Sequence, residues 1–167
     1  MFRTIDDFAA SWKHESEATM KTLHALTDAS LAQPVNDECR TLGRIAWHTT
    51  DTIKEMMERT GLHVDGAPAN APVPATAKEI ADSYNRSAAS LMEGIRSAWT
   101  DKTLETVDEM YGEKWARGST LHVLIVHQAH HRGQMTVLMR QAGIAPPGIY
   151  GPSKEEWAQW QMEPPVI

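Results

Sequence analysis

The sequence predicts an all-α protein, a four-helix bundle with a short extra helix near its C-terminal end. Three observations carry this. Four long stretches have apolar residues at helical spacing, no stretch reads convincingly as a strand, and Pro, Gly and capping residues punctuate the joins. Four amphipathic helices of this length must each bury a stripe, and packing against one another is the economical solution.

The first helix is expected over residues 5–26, where Ile5, Phe8, Trp12, Met20, Leu23 and Leu26 make a broken apolar stripe. Pro34 and the polar run Asn36-Asp37-Glu38 end it. The second starts after Thr41, a suitable N-cap, carries Ile45, His48, Thr52 and Met56 on one face, and stops at Gly61. Residues 66–74 hold three prolines and three alanines, the composition of an extended surface crossing. Thr76-Ala77-Lys78-Glu79 is a capping box that opens the third helix, which continues to about Trp99. Residues 100–118 offer an amphipathic turn around 107–111, followed by Gly112 and Gly118. The fourth helix is expected from Ser119 or Thr120 to just before Gly143, with Pro146 and Pro147 beyond it. Ser153-Lys154-Glu155-Glu156 repeats the capping signal and predicts a short final helix bearing Trp157 and Trp160. Two of the connections are long, so a simple up-down-up-down order is not forced.

Composition narrows the function. The chain has 167 residues and no shift in composition, which points to one domain over residues 1–167. Its net charge of −6, with no run of Lys or Arg, disfavours nucleic acid as a partner, since neutralising phosphates takes clustered cations. Asp6 and Asp7 stand where a signal peptide would have its apolar core, and the apolar run at 123–126 is too short to span a bilayer. A single cysteine, Cys39, fits a reducing compartment. The expectation is a cytoplasmic protein that engages neither membrane nor nucleic acid.

The richest segment is His127-Gln128-Ala129-His130-His131-Arg132-Gly133-Gln134, in the middle of the fourth helix. Each helical residue turns about 100°, so His127 and His131 lie only about 40° apart, one turn above the other. Thr120, Leu124, Gln134 and Leu138 share that face, which places the two imidazoles inside an apolar stripe. Among the other histidines, His14, His24 and His63 read as solvated or half-buried, whereas His48 occupies the stripe of the second helix. Taken alone, an inward His48 is better explained by a hydrogen bond to a carbonyl or carboxylate. Three inward imidazoles on two helices are costly unless something binds them together, and a divalent cation does so while requiring their neutral form. His130 is left as either a residue supporting the ligands or a surface one. Arg132 reads as a surface or dimer-interface ion pair, and Gly133 as either a close-approach point or a tolerated interior glycine. Gln134 is equally suited to holding a ligand and to capping a carbonyl.

These residues carry a resemblance. His48, followed by His127-x-x-x-His131-Arg132-Gly133-Gln134, resembles the DinB/YfiT-like family of candidate metalloenzymes, the damage-inducible bundles rather than the polymerase of similar name. The similarity runs on through Met135-Thr136-Val137 and Arg140 to Gly143, then Ile149-Tyr150-Gly151-Pro152-Ser153, and with residues 41–48 it spans most of the chain. The resemblance implies a bundle in up-down-down-up order, a homodimer, and a site for nickel, zinc or a similar ion held by His48, His127 and His131. It also implies a small-molecule substrate and, as in some relatives, transferase or isomerase chemistry with a low-molecular-weight thiol cosubstrate.

Three functional readings follow. In the first, a metalloenzyme, three histidines leave a coordination position open, and the cation activates either water for hydrolysis or a thiol for transfer. Asp51, Glu55 and Gln134 are the candidate catalytic residues beside it. In the second, a non-catalytic stress-response or structural dimer, the cation only pins helices together. In the third, a metal-free helical module, the histidines are merely buried. An ion held by histidines alone should leave on acidification as the rings protonate, ordinarily near about pH 6.5. Six tryptophans and nine methionines are assigned to core packing and contacts rather than to an aromatic site.

Overall fold

The computed structural model describes residues 1–166. Its helices are α1 (Ile5–His24), α2 (Leu42–Glu58), α3 (Ala77–Ala98) and α4 (Arg117–Gln141). The expected caps are in place. Thr41 accepts a hydrogen bond from the Arg44 N–H, and Thr76 and Glu79 cap one another's backbone reciprocally. After α2 the chain turns through Gly61 at φ 76°, with Leu62 N–H donating back to Met57 O, which closes the helix end that sequence placed there.

Each helix packs on two others, so that α1 and α2 each touch α3 and α4. Specific bonds fix the directions. Trp12 Nε1–H donates to Ala88 O across α1 and α3, and Phe2 N–H donates to Gly118 O at the shared start of α1 and α4. Gln128 Nε2 donates to Thr49 O, and Arg117 at the head of α4 donates to Thr60 O just past the tail of α2. Thus α1 runs parallel to α4, and α2 runs antiparallel to α4, the up-down-down-up order. The core between the helices holds Phe8, Trp12, Ile53, Met56, Tyr84, Leu91 and Ile95, all almost fully buried.

Parallel α2 and α3 oblige residues 59–76 to travel back along the bundle. This crossing is extended, as expected, yet it is anchored rather than merely superficial. Trp47 Nε1–H donates to Ala71 O (3.2 Å), Lys54 Nζ donates to Gly66 O (3.3 Å), and Ala67, Ala71 and Val73 pack on the core.

Three expectations need correction. Residues 107–116 are not a lone amphipathic turn but an antiparallel hairpin, β1 (Val107–Met110) and β2 (Glu113–Ala116), in the register Val107↔Ala116 to Met110↔Glu113. Its two-residue turn uses φ 56° at Tyr111 and φ 85° at Gly112. Tyr-Gly is not among the usual signals for such a turn, which is why periodicity alone missed it. Second, α4 starts at Arg117, earlier than Ser119, because β2 runs straight into it. Its head is held by Arg117 bonded to Asp108 (2.8 Å) and Thr60 O, with no side-chain cap. Gly118 is obligatory there, since a Cβ would lie 2.2 Å from Phe2 O. Third, the final helix is a single 3₁₀ turn, Trp157–Trp160. The Glu156 carboxylate does cap Ser153 N–H, but Trp160 is exposed. No described helix is long and apolar enough to cross a membrane.

Candidate metal centre

The α2–α4 contact brings His48, His127 and His131 together. Each offers a ring nitrogen, and these atoms all lie within 4.8 Å of one another. His127 Nε2 and His131 Nε2 are 3.0 Å apart, and the His48 ring centroid is 5.0 Å from that of His127 and 4.8 Å from that of His131. Tetrahedral zinc with Zn–N bonds of about 2.0–2.1 Å needs nitrogens roughly 3.4 Å apart, so small side-chain rotations suffice to place all three on one centre.

The His131 tautomer fits as well. His131 Nδ1 lies 2.7 Å from Gln134 Oε1, an oxygen that can only accept, so Nδ1 carries the proton and Nε2 keeps its lone pair facing the other histidines. This is the support a ligating histidine ordinarily has behind it. His127 Nδ1 is buried without a partner, so its ring is held by the cluster side alone. Gln134 therefore orients a histidine, one of the two roles open to it from sequence. His130 is exposed, with its ring 4.9 Å from that of His131. A Cβ on Gly133 would meet nothing within 4 Å, so this glycine is not a close-approach point.

A cavity of about 870 Å³ opens beside the cluster, and His48 and His127 form its inner end. Asp51, one turn beyond His48, faces it and is half-buried. Glu55, a turn further, also lines it but is already engaged, with Arg59 Nε at 2.6 Å and the Tyr111 hydroxyl donating at 2.5 Å. The far wall is Tyr111 and Trp115 from the hairpin, and Ala67, Ala69 and Asn70 of the crossing form another side. Neither wall is visible as a site in the sequence, since it depends on long-range pairing. The Gly112 turn was the one available signal.

A family model described as the DinB family matches residues 1–162. The chain belongs to the DinB family. It is 48% identical to the uncharacterized protein YrdA of Bacillus subtilis (strain 168) over 167 residues, the whole of both chains. It is also similar to a DinB-like protein from Bacillus cereus of known crystal structure, with a TM-score of 0.86 and 46% identity over 90% of this chain and all of that one.

Behind the histidines this DinB-family chain carries a buried polar relay that sequence reasoning did not find. The residue following each histidine takes part. Gln128 Nε2 donates to Thr49 O (2.9 Å), and Gln128 Oε1 accepts from Thr19 Oγ1 (3.2 Å). Arg132 Nη1 donates to Thr19 Oγ1 (2.9 Å), while its other nitrogen pairs with the Glu15 carboxylate and donates to the Tyr150 hydroxyl. A step of one residue turns a helix by about 100°, so the imidazoles face His48 while their neighbours reach Thr19 on α1. Arg132 is thus a buried ion pair at 2% exposure, not the surface or interface pair expected from sequence. Its partner Glu15 sits on α1, and no pattern local to either helix could reveal it.

Burial lowers the pKa of His48 to about 4, helped by the neighbouring His131 ring and by Arg40 and Arg44. Burial likewise lowers His127 to about 4, and lowers His131 against an opposing contribution from Gln134. The Asp51 carboxyl is raised by burial, with Arg44 and Lys54 working the other way. The histidines are therefore neutral at pH 7. Proton competition for a bound cation sets in at more acid pH than the ordinary histidine value indicates, so tight binding somewhat below pH 6.5 is compatible with a pure histidine site.

The same shifts predict the stability of the metal-free protein. As pH falls below 6.5, the unfolded chain takes up protons that folded His48 and His127 refuse until about pH 4. Their lowered values thus contribute nothing above that window and destabilise progressively within it. Thermal melts in chelator should show the midpoint dropping from pH 6.5 to pH 5, with a shallower slope in His48→Gln. An unchanged slope in the variant would contradict the assignment.

Proposed function

We propose that this protein is a metal-dependent enzyme acting on a small molecule, with nickel or zinc on His48, His127 and His131. The observation that carries the reading is a three-histidine cluster two of whose members, His48 and His127, line a cavity instead of being sealed in the core. Three protein ligands leave positions for water or substrate, and imidazole nitrogen suits either metal. Bound there, the cation supplies Lewis-acid chemistry, lowering the pKa of water or of a low-molecular-weight thiol.

The chain's own groups then divide the work. Asp51, whose pKa burial raises and which lines the cavity, is the candidate to take the proton from the attacking water or thiol. Gln134 holds the His131 ring in the ligating tautomer. Glu55, tied to Arg59 and Tyr111, is a cavity-wall residue before it is a base. The proposal includes a cytoplasmic homodimer with no nucleic-acid or membrane partner.

The second reading, a cation that only pins α2 to α4 in a non-catalytic dimer, draws on the position of the cluster at that helix contact. Elemental analysis of protein purified without a nickel column separates the readings, followed by mass-spectrometric screens for thiol adducts and ester hydrolysis. We expect about one ion per chain and turnover that stops on chelation and returns with metal. Full metal without turnover in either screen would favour the pinning role, and absence of metal would reject both.

A further inference from the structure

We propose that Tyr111 and Trp115 determine substrate specificity, selecting a small molecule whose tail is a flat aromatic ring. The inference rests on the cavity reading above and goes beyond it by naming the class of group that the outer end receives.

Tyr111 holds φ 56° in the hairpin turn, a conformation suited to Asn, Asp or Gly at that position. A bulky residue there is an outlier, and such conformations gather where a side chain has a task. Here the strained backbone aims a phenol ring at the mouth of the cavity.

The Tyr111 hydroxyl donates to Glu55 (2.5 Å), and the Arg59 guanidinium sits 4.4 Å from the centroid of the Tyr111 ring. The Trp115 ring is 5.8 Å away at a 58° tilt, and its Nε1–H donates to Glu113 (2.8 Å). The two rings touch at an angle, with Arg59 over one face of Tyr111, and their remaining faces and edges accept a third ring edge-on or offset.

Glu55 follows His48 by two helical turns, about 10 Å along α2. A molecule bound at the histidines thus reaches the aromatic pair with a head and a short spacer. The same cavity is also lined by Met56, Val123, Ala67 and Ala69. The charges at this end are paired, Arg59 with Glu55 and Lys54 with Glu58 (3.6 Å), so they do not call for an ionic tail.

The test uses zinc-loaded protein and three chelating probes measured by calorimetry: 3-phenylpropanohydroxamate, its cyclohexyl counterpart and acetohydroxamate. The phenyl probe should bind about tenfold or more tightly than acetohydroxamate, because it buries its tail. It should exceed the cyclohexyl probe by roughly 3–10-fold, the range that aromatic geometry adds beyond area. Tyr111→Asn, which suits the turn, and Trp115→Ala should remove these gains while leaving acetohydroxamate unchanged. Tyr111→Phe should retain most of them. Equal affinity for phenyl and cyclohexyl tails, or a phenyl gain that survives both ring deletions, overturns the proposal.

A second arm is independent of the cation. Chelator-treated protein is titrated with 3-phenylpropionamide while the Trp115 indole N–H is followed by NMR. A shift that disappears in Tyr111→Asn supports the aromatic site even if the hydroxamates show that no metal is held. An unperturbed indole overturns the inference whatever the metal result.

Discussion

Arg132→Ala should destabilise the fold by about 3–5 kcal/mol, the usual consequence of removing one partner from a buried ion pair. Arg132 is 2% exposed and Glu15 9%, so the deletion leaves a carboxylate with little access to water. It also strips Thr19 and Tyr150 of their shared donor and loosens α1 from the histidine-bearing stretch of α4, where the Thr19–Gln128 hydrogen bond remains. Glu15→Leu combined with Arg132→Met should recover much of the loss, because an apolar pair of similar volume carries no stranded charge. Urea denaturation at pH 7 measures both. A loss under about 1 kcal/mol for the single variant would place the pair among solvent-screened surface bridges and remove the relay from the account.

His48→Ala and His131→Ala should each abolish stoichiometric metal. Each substitution leaves two of the three clustered ring nitrogens, and His48 is the histidine that α2 brings to the cluster. Gln134→Ala, which removes the acceptor behind His131, should weaken binding by about 10–100-fold without abolishing it. His130→Ala, on the exposed side, should leave the ion in place. Metal content by elemental analysis, with affinities from chelator competition, distinguishes these grades. One tightly held ion per chain in either ligand variant would contradict the assignment. So would His130→Ala behaving like His131→Ala.

Much of the fold was legible along the chain because its signals are local. Thr41, and Thr76 with Glu79, mark helix starts through bonds to residues three positions away. Gly61 and Gly143 mark ends through their own positive φ. The histidine cluster was legible for a related reason, since His127 and His131 are placed on one face by helix geometry before any packing occurs. The hairpin was not legible. Its strands are four residues each and alternate poorly, and pairing gives them a structure that neither has alone. Arg132 was misread because its helical position does not separate a surface face from one covered by α1. The tryptophans divide in a way composition hides: Trp12, Trp47 and Trp99 are buried, while Trp115 lines the cavity.

Sequence by itself determined the four helices, the caps of α2 and α3, and which imidazoles share a helix face. Those properties depend on a few neighbouring residues and on the fixed 3.6-residue turn. Tertiary structure alone decided that His48 meets the other two, that a hairpin and a proline-rich crossing wall a cavity beside them, and that Glu15 lies under Arg132. A helix fixes the direction of its own side chains, but the element it faces is settled only when all the apolar stripes are buried at once.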